Sequence, residues 1–192
     1  MTQFTLRANT PEAWLQAVLD DFDTFLQDHA AAEKKAAGMA LSMISHYPDR
    51  LELVETMADI AVEEMSHFRE VIKWLHRRNV QLAADVKDDY IHQLRACIRQ
   101  GSDVYLLDRL LTGSIIEARG HERFALVAEG LDTGPLKQFY IAIAKSEARH
   151  YQTFLQLAHR YYPSNIVNQR LETLLDDEAR IVKSLPIHAL LH

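Results

Sequence analysis

The sequence contains few of the residues that cross-link or interrupt a chain. Among its 192 residues there is one cysteine, Cys97. This excludes a disulfide framework, and a four-cysteine zinc, rubredoxin-type or iron–sulfur site built by this chain alone. Such cysteine usage is typical of the reducing cytoplasm. With only 6 glycines and 5 prolines, long uninterrupted secondary-structure elements are expected.

Long hydrophobic runs and a strong charge of one sign are also missing. No stretch approaches the roughly 20 apolar residues of a membrane span. Residues 1–9 lack the basic start and apolar run of a signal peptide, so a cytoplasmic protein is expected. The formal net charge of -6 does not favour a dedicated nucleic-acid binder, and any such contact would need a local basic patch. Five cations could form such a patch, but interaction with helix C-termini and ordinary salt bridges would account for their presence equally well. They are Lys73, Arg77, Arg78, Arg95 and Arg99.

Helical periodicity dominates the sequence, and no alternating strand pattern competes with it. Thr10, Pro11 and Glu12 predict a helix start with Thr10 as the N-cap, and Asn79 after a basic last turn predicts a helix end. An apolar content of 48% is enough for a single domain over residues 1–192. The first predicted helix ends at about residue 19. The six that follow are predicted at 21–46, 49–78, 88–100, 103–129, 135–162 and 166–184.

The connections between the four long helices predict their arrangement. Helices 21–46 and 49–78 are joined by a short link, as are 103–129 and 135–162, so each pair should be antiparallel. The link between the two pairs is long and contains its own short helix. Two hairpins joined by one long crossover predict an all-α, ferritin-like four-helix bundle with additional terminal and crossover helices.

A Glu-x-x-His motif occurs twice, at 64–67 and at 147–150. A lone glutamate precedes each copy, 31 residues before the first and 30 before the second. Helix residues three apart share a face, so each motif presents a carboxylate beside an imidazole. Four carboxylates and two imidazoles are the donors of a di-iron or di-manganese centre. The candidate metal ligands are Glu33, Glu64, His67, Glu117, Glu147 and His150.

The surroundings of the four glutamates favour a buried site. Each one interrupts a mostly apolar helical stripe that should face the core. Unpaired carboxylates there would be strongly unfavourable, whereas two divalent ions would balance all four charges and the histidines would bind as neutral ligands. One Glu-x-x-His is common on helix surfaces by chance. Two copies with evenly spaced glutamates favour a metal site, in which iron is preferred although manganese satisfies the same ligands.

Residues beside the candidate ligands allow more than one interpretation. His121, four residues after Glu117, could compete with it as a ligand, support a ligand from outside, or be a hydrogen-bonded core histidine, and the last is preferred. Glu63 could hydrogen-bond a ligand histidine or lie on a solvated helix face. Gly113 and Gly120 could leave room for dioxygen or substrate, or allow close helix packing, which is preferred.

Longer blocks around these residues carry a family resemblance. They are EKKAA at 33–37, EEMSHF at 63–68, IEARGHERFA at 116–125, KQFY at 137–140 and SEARHYQ at 146–152. The blocks cover all four long helices, and the two Glu-Ala-Arg blocks are much more specific than Glu-x-x-His alone. Together they resemble the tRNA 2-methylthio-N6-isopentenyladenosine hydroxylases (MiaE) of the ferritin-like di-iron superfamily.

The resemblance implies a non-haem di-iron monooxygenase. It would hydroxylate the isopentenyl side chain of a modified adenosine beside the tRNA anticodon, with dioxygen as co-substrate. By matching position, the six candidate ligands would bind two iron ions, with no further catalytic residue. A separate reductase or ferredoxin would supply electrons, because the sequence contains no flavin or iron–sulfur motif. Three alternatives remain: a bacterioferritin-type ferroxidase or iron store, a rubrerythrin-type peroxidase, and a metal-free helical interaction protein.

Overall fold

The computed structural model describes residues 3–102 and 104–192, which form seven α-helices and no strand. The predicted start of the fifth helix at Asp103 lies outside the described residues. Among the helices that are described, none combines the length and apolar character needed to cross a membrane. The helices are α1 (Glu12–Asp20), α2 (Phe22–His46), α3 (Leu51–Arg77), α4 (Asp89–Ala96), α5 (Tyr105–Gly130), α6 (Pro135–Tyr161) and α7 (Ser164–Ser184).

The element order confirms the predicted all-α, ferritin-like fold, in which a long crossover containing α4 separates two helical hairpins. The chain divides into two compact units, which are described in turn. The smaller contains residues 17–86 and 188–191, and the larger contains the N-terminal segment up to Gln16, residues 87–187 and His192.

The smaller unit is built on the α2–α3 hairpin. Arg78, directly after α3, forms an ion pair with Asp23 in the first turn of α2, which shows that the helices are antiparallel. Lys34 Nζ on α2 reaches Asp85 Oδ1 beyond α3 at 2.8 Å. Asn79 has a φ of 56°, the left-handed conformation expected just beyond a helix, and confirms the predicted end of α3.

The larger unit is built on the α5–α6 hairpin, with α4 and α7 packed against it. Two hydrogen bonds fix the antiparallel register of the hairpin. Ser114 Oγ donates to the Tyr151 carbonyl at 2.7 Å. His121 Nδ1 lies 2.7 Å from the Ala144 carbonyl. Both bonds join a side chain of α5 to the backbone of α6, so α5 cannot slide along α6 without breaking them.

A buried ion pair ties α5 to α7 in the same unit. Arg119 and Glu178 are both 0% exposed. Arg119 Nε donates to Glu178 Oε1 at 2.8 Å, and Nη2 donates to the Ala8 carbonyl at 2.8 Å. The Tyr90 hydroxyl of α4 donates to Glu178 Oε1 at 3.2 Å. The pair therefore joins three helices and the N-terminal segment.

Two sequence-based expectations were wrong for a shared reason. Thr10 is not the N-cap of α1, because the helix begins at Glu12 and the Trp14 N–H donates to the Pro11 carbonyl at 2.9 Å. The Thr10 N–H and hydroxyl instead donate to the Glu122 carboxylate at 2.9 and 2.8 Å. The crossover helix ends at Ala96 rather than near residue 100, because Asp108 accepts the Arg99 N–H at 2.8 Å. In both cases a carboxylate of α5 accepts a hydrogen bond from the backbone N–H of a residue at which the sequence predicted a helix end.

Alanine substitutions at two helical glycines are expected to have different effects on stability. Gly38→Ala should raise the free energy of unfolding by about 0.5–1 kcal/mol, because alanine favours the helix. An added Cβ at Gly38 meets no atom within 4 Å. At Gly113 the added Cβ would lie 3.2 Å from the ring of fully buried Phe154, so Gly113→Ala should lower stability. Urea denaturation measures both, and equal gains would show that the Phe154 ring can move aside.

Candidate metal centre

Three of the predicted ligands lie together within the α2–α3 hairpin. Glu33 is on α2, and Glu64 and His67 are on α3. One ligand atom from each lies within 4.8 Å of the others. His67 Nδ1 is 3.4 Å from Glu33 Oε2 and 3.6 Å from Glu64 Oε2. Glu33 and Glu64 are buried, at 4% and 1% exposure. Two carboxylates and one imidazole thus converge in an apolar interior.

The other three predicted ligands lie together within the α5–α6 hairpin. Glu117 is on α5, and Glu147 and His150 are on α6. One ligand atom from each again lies within 4.8 Å of the others. His150 Nδ1 is 3.8 Å from Glu117 Oε2, and all three residues are at most 5% exposed. The second hairpin therefore repeats the donor set of the first.

Close helix packing explains one of the two glycines near Glu117. Gly113 faces the Phe154 ring, which lies 3.2 Å from where a Cβ would be. At Gly120 an added Cβ would lie 3.5 Å from Glu147 Oε2, an ordinary van der Waals distance. Gly113 therefore supports the packing interpretation, whereas the space at Gly120 would also accept an alanine.

The charge on His67 shows what this interior requires. Burial opposes protonation of the ring, but the neighbouring Glu33 and Glu64 carboxylates outweigh it and raise the pKa of His67 to about 10. The imidazole therefore carries a proton at neutral pH, and that proton supplies positive charge beside two buried carboxylates. A divalent metal ion bound to these oxygens and to the imidazole nitrogen would supply the same compensation more fully. The donors present fit a carboxylate-rich metal site of the di-iron or di-manganese type.

His29 is a site residue that sequence reasoning missed. It is 0% exposed on α2, and its Nε2 lies 2.6 Å from Glu33 Oε1. Burial and the positive charge of His67 lower the pKa of His29 to about 3, so the ring is neutral and its Nε2–H donates to the carboxylate. The hydrogen bond fixes one Glu33 oxygen and leaves the other on the His67 side. The one sign of this contact in the sequence is that His29 lies four residues before Glu33, which places both side chains on the same face of α2.

Replacement of His29 by leucine is expected to weaken iron binding by about 10–100-fold, since it removes the hydrogen bond that orients Glu33. His29→Gln can still donate an amide N–H and should retain most of the affinity. Competition of the metal-free protein with an iron chelator measures both constants, with helix content from circular dichroism as the folding control. Equal iron affinity in the leucine variant and the wild type would contradict a role for this hydrogen bond.

The structure separates the interpretations of the two remaining neighbours. His121 Nδ1 bonds to the Ala144 carbonyl, so this ring is the hydrogen-bonded histidine that was preferred. Glu63 Oε1 lies 3.8 Å from His67 Nε2, with the Glu63 side chain 36% exposed. That distance is too long for a hydrogen bond but places a carboxylate on the outer side of the His67 ring.

The family comparison covers the whole chain. Residues 1–192 match the family model described as tRNA-(MS[2]IO[6]A)-hydroxylase (MiaE). The tRNA 2-(methylsulfanyl)-N(6)-isopentenyladenosine(37) hydroxylase of Pseudomonas putida is 40% identical over 175 residues, covering 91% of this chain and 85% of that protein. The Salmonella typhimurium protein of the same name is 27% identical over 228 residues, covering 93% of this chain and 84% of its own length.

A solved structure shares the fold. It is protein 43 from Synechococcus, described as having aldehyde deformylating oxygenase activity, with a TM-score of 0.92 and 31% sequence identity. The match covers 99% of this chain and 96% of that chain. The activity named for the Synechococcus protein differs from that named for the two curated relatives. The Pseudomonas putida relative is more similar to the chain, at 40% against 31% identity, and the family model matches all 192 residues. The chain therefore belongs to the MiaE family of tRNA-(MS[2]IO[6]A)-hydroxylases.

Proposed function

We propose that this protein hydroxylates the isopentenyl side chain of 2-methylthio-N6-isopentenyladenosine in tRNA. The observation that carries the proposal is the full-length match to the family model. Two curated relatives, at 40% and 27% identity, are named for hydroxylation of this nucleoside. The protein would meet its tRNA substrate in the cytoplasm. Residues 1–192 are proposed to act as one hydroxylase domain.

Two iron ions are the proposed cofactor, and when bound they would supply the oxidising power by activating dioxygen. Two carboxylates and one imidazole on each hairpin support this assignment, because the combined set is the donor set of carboxylate-bridged di-iron proteins. Manganese can use the same donors, so the metal content of the purified protein is part of the test. The proposed ligands are Glu33, Glu64, His67, Glu117, Glu147 and His150.

The part of the protein in this reaction is to hold the ligands and exclude water. Hydroxylation of a C–H bond needs a dry site, because excluded water cannot take part in side reactions of the oxidant. Buried alanines precede and follow Glu33 on its own helix, at Ala30 and Ala37. Buried Ile143 and Ala144 lie one turn before Glu147. These apolar side chains beside the carboxylates would suit an apolar prenyl chain. The hydrogen bond from His29 would keep the Glu33 carboxylate in one orientation when the substrate binds.

The stoichiometry requires an external electron donor. One oxygen atom of dioxygen enters the C–H bond as a hydroxyl group, and the other leaves as water. Each turnover therefore consumes two electrons and two protons. A single cysteine cannot build an iron–sulfur cluster, and no flavin motif is present in the sequence. We propose that a separate reductase or ferredoxin delivers these electrons.

Two other activities use comparable sites. A ferroxidase or iron store of the bacterioferritin type has the same donors, but it is disfavoured by the family match over the whole chain. Aldehyde deformylation is named for the Synechococcus protein of similar fold, which is 31% identical. The substrate separates all three activities, since storage needs only iron and deformylation needs a free aldehyde.

Mass spectrometry of tRNA nucleosides from a deletion strain tests the proposal. We expect the hydroxylated nucleoside to disappear and its prenylated precursor to accumulate, and the wild-type gene to restore hydroxylation. Unchanged hydroxylated nucleoside in the deletion strain would refute the assignment. Incubation of the reduced, iron-loaded protein with tRNA or with a long-chain aldehyde provides a second arm, in which turnover of the aldehyde alone would favour the deformylating activity.

A further inference from the structure

A row of exposed cationic and amide side chains runs along α6. This α6 stripe consists of Gln138, Lys145, Arg149, Gln156 and Arg160, all of which are exposed. At 100° per residue, the five positions lie within about 60° of one another around the helix axis. At ~1.5 Å per residue, they extend over about 33 Å. The stripe therefore forms one continuous surface on one side of a single helix.

Acidic residues are absent from the solvent side of α6. Glu147 is the one acidic residue among the 27 residues of this helix, and it is buried at 5% exposure. It lies about 180° around the helix from Gln156. α7 in the same unit carries four acidic residues in seven positions, from 172 to 178. In a chain with a net charge of -6, a helix face of this length that carries cations and no acidic residue of its own matches the electrostatic footprint of a polyanionic partner.

We propose that the α6 stripe binds the phosphate backbone of tRNA, an inference that rests on the proposed function. Lysine, arginine and glutamine side chains are the usual donors to phosphate and sugar oxygens. The helix already orients the central guanidinium, because Arg149 Nη2 donates to Ser146 Oγ at 3.1 Å. Since Glu147 lies on the opposite side of α6, the stripe holds the backbone away from the oxidised nucleotide. It contributes affinity for tRNA and takes no part in the oxidation chemistry.

An acidic electron donor is the other anionic macromolecule that the reaction requires. Protein–protein interfaces usually centre on aromatic or apolar residues. On α6 the large exposed apolar residue is Ile141, at 44% exposure, which lies at the edge of the stripe. A row of cations and amides over about 33 Å matches a repeating phosphate chain better than a compact protein patch. Among the cations suggested by sequence at the end of α3, Lys73 pairs with Glu70 at 2.6 Å and Arg78 with Asp23, so both form ordinary salt bridges.

Charge reversal tests the assignment. The variant is Lys145→Glu/Arg149→Glu, and the matched control is Arg180→Glu/Lys183→Glu on α7, whose residues are also exposed and which changes the net charge equally. Fluorescence anisotropy of labelled tRNA with iron-loaded protein, repeated over a range of salt concentrations, measures affinity. We expect the stripe variant to bind at least about tenfold more weakly than the control. The slope of the logarithm of its affinity against the logarithm of the salt concentration should fall in magnitude by about 2.

Each outcome decides the inference. Wild-type binding of tRNA with equal affinities for the stripe variant and the control overturns it. Failure of the wild-type protein to bind tRNA overturns the proposed function, and the inference falls with it. Unchanged tRNA binding with slower reduction by an acidic donor would assign the stripe to the redox partner and overturn the inference. If charge reversal disturbs helix content or iron content, Lys145→Gln/Arg149→Gln decides, with an expected loss of affinity in the same direction.

Discussion

Replacement of Glu64 by alanine is expected to weaken iron binding by more than about 100-fold and to abolish tRNA hydroxylation. Partners that only orient a ligand already contribute about 10–100-fold to metal affinity, so a directly bound carboxylate contributes more. Glu64 is 1% exposed and its Oε2 lies 3.6 Å from His67 Nδ1. The adjacent Glu63 provides a matched control, because its carboxylate is on the outer side of the same ring, with the side chain 36% exposed.

Glu63→Ala should therefore leave iron affinity within about tenfold of the wild type, at the weak end of the effect of an outer carboxylate. Elemental analysis of the reconstituted proteins gives iron content, nucleoside mass spectrometry gives hydroxylation, and circular dichroism shows that both variants retain their helices. A full iron complement in Glu64→Ala, or an equal loss in both variants, would remove Glu64 from the ligand set.

Helix positions could be predicted from the sequence because they depend on local patterns. Apolar periodicity, the scarcity of glycine and proline, and the asparagine at position 79 define α2 and α3 to within two residues. The two errors arose where a residue outside the predicted helix binds the chain at the predicted helix end. Glu122 binds Thr10 from 112 positions away, and Asp108 binds the Arg99 N–H across the start of α5. No local pattern contains this information, since it depends on which helices pack together.

The candidate ligands could also be predicted, because an i, i+3 pair on a helix faces one way whatever surrounds it. His29 and His121 show where spacing fails. Each is four residues from a candidate ligand on its own helix, yet His29 bonds to Glu33 whereas His121 bonds to the Ala144 carbonyl of α6. The difference lies in the partner that each ring finds, which for His121 is a backbone carbonyl of the neighbouring helix. Sequence spacing therefore identifies which side chains can meet, and packing determines which of them do.

Replacement of the buried Glu178 by alanine is expected to lower the free energy of unfolding far more than replacement of an exposed glutamate on the same helix. Arg119 pairs with two carboxylates, the fully buried Glu178 and the part-exposed Glu122. Glu178→Ala leaves the buried guanidinium with Glu122 alone, at a cost of up to about 3–5 kcal/mol in the free energy of unfolding. The side chains of Arg119 and Glu178 are both 0% exposed, and the bond from Arg119 Nε to Glu178 Oε1 is 2.8 Å. Glu172→Ala on the same helix should change stability little, because the Glu172 side chain is 64% exposed and its partner Arg7 is on the surface.

Urea denaturation of the metal-free proteins compares the two variants directly, and equal losses would contradict the assigned role of the buried pair. The double variant Arg119→Met/Glu178→Ala separates loss of the pair from loss of one partner. It should be less destabilised than Glu178→Ala alone, because the fully buried guanidinium is removed together with Glu178, and Glu122, which also loses Arg119, is 26% exposed. The Ala8 carbonyl and the Tyr90 hydroxyl also lose their partners in the double variant, so stability should return only in part. Arg119 is two residues from Glu117, and iron affinity of the folded double variant would then report whether this pair also holds α5 in the position that metal binding requires.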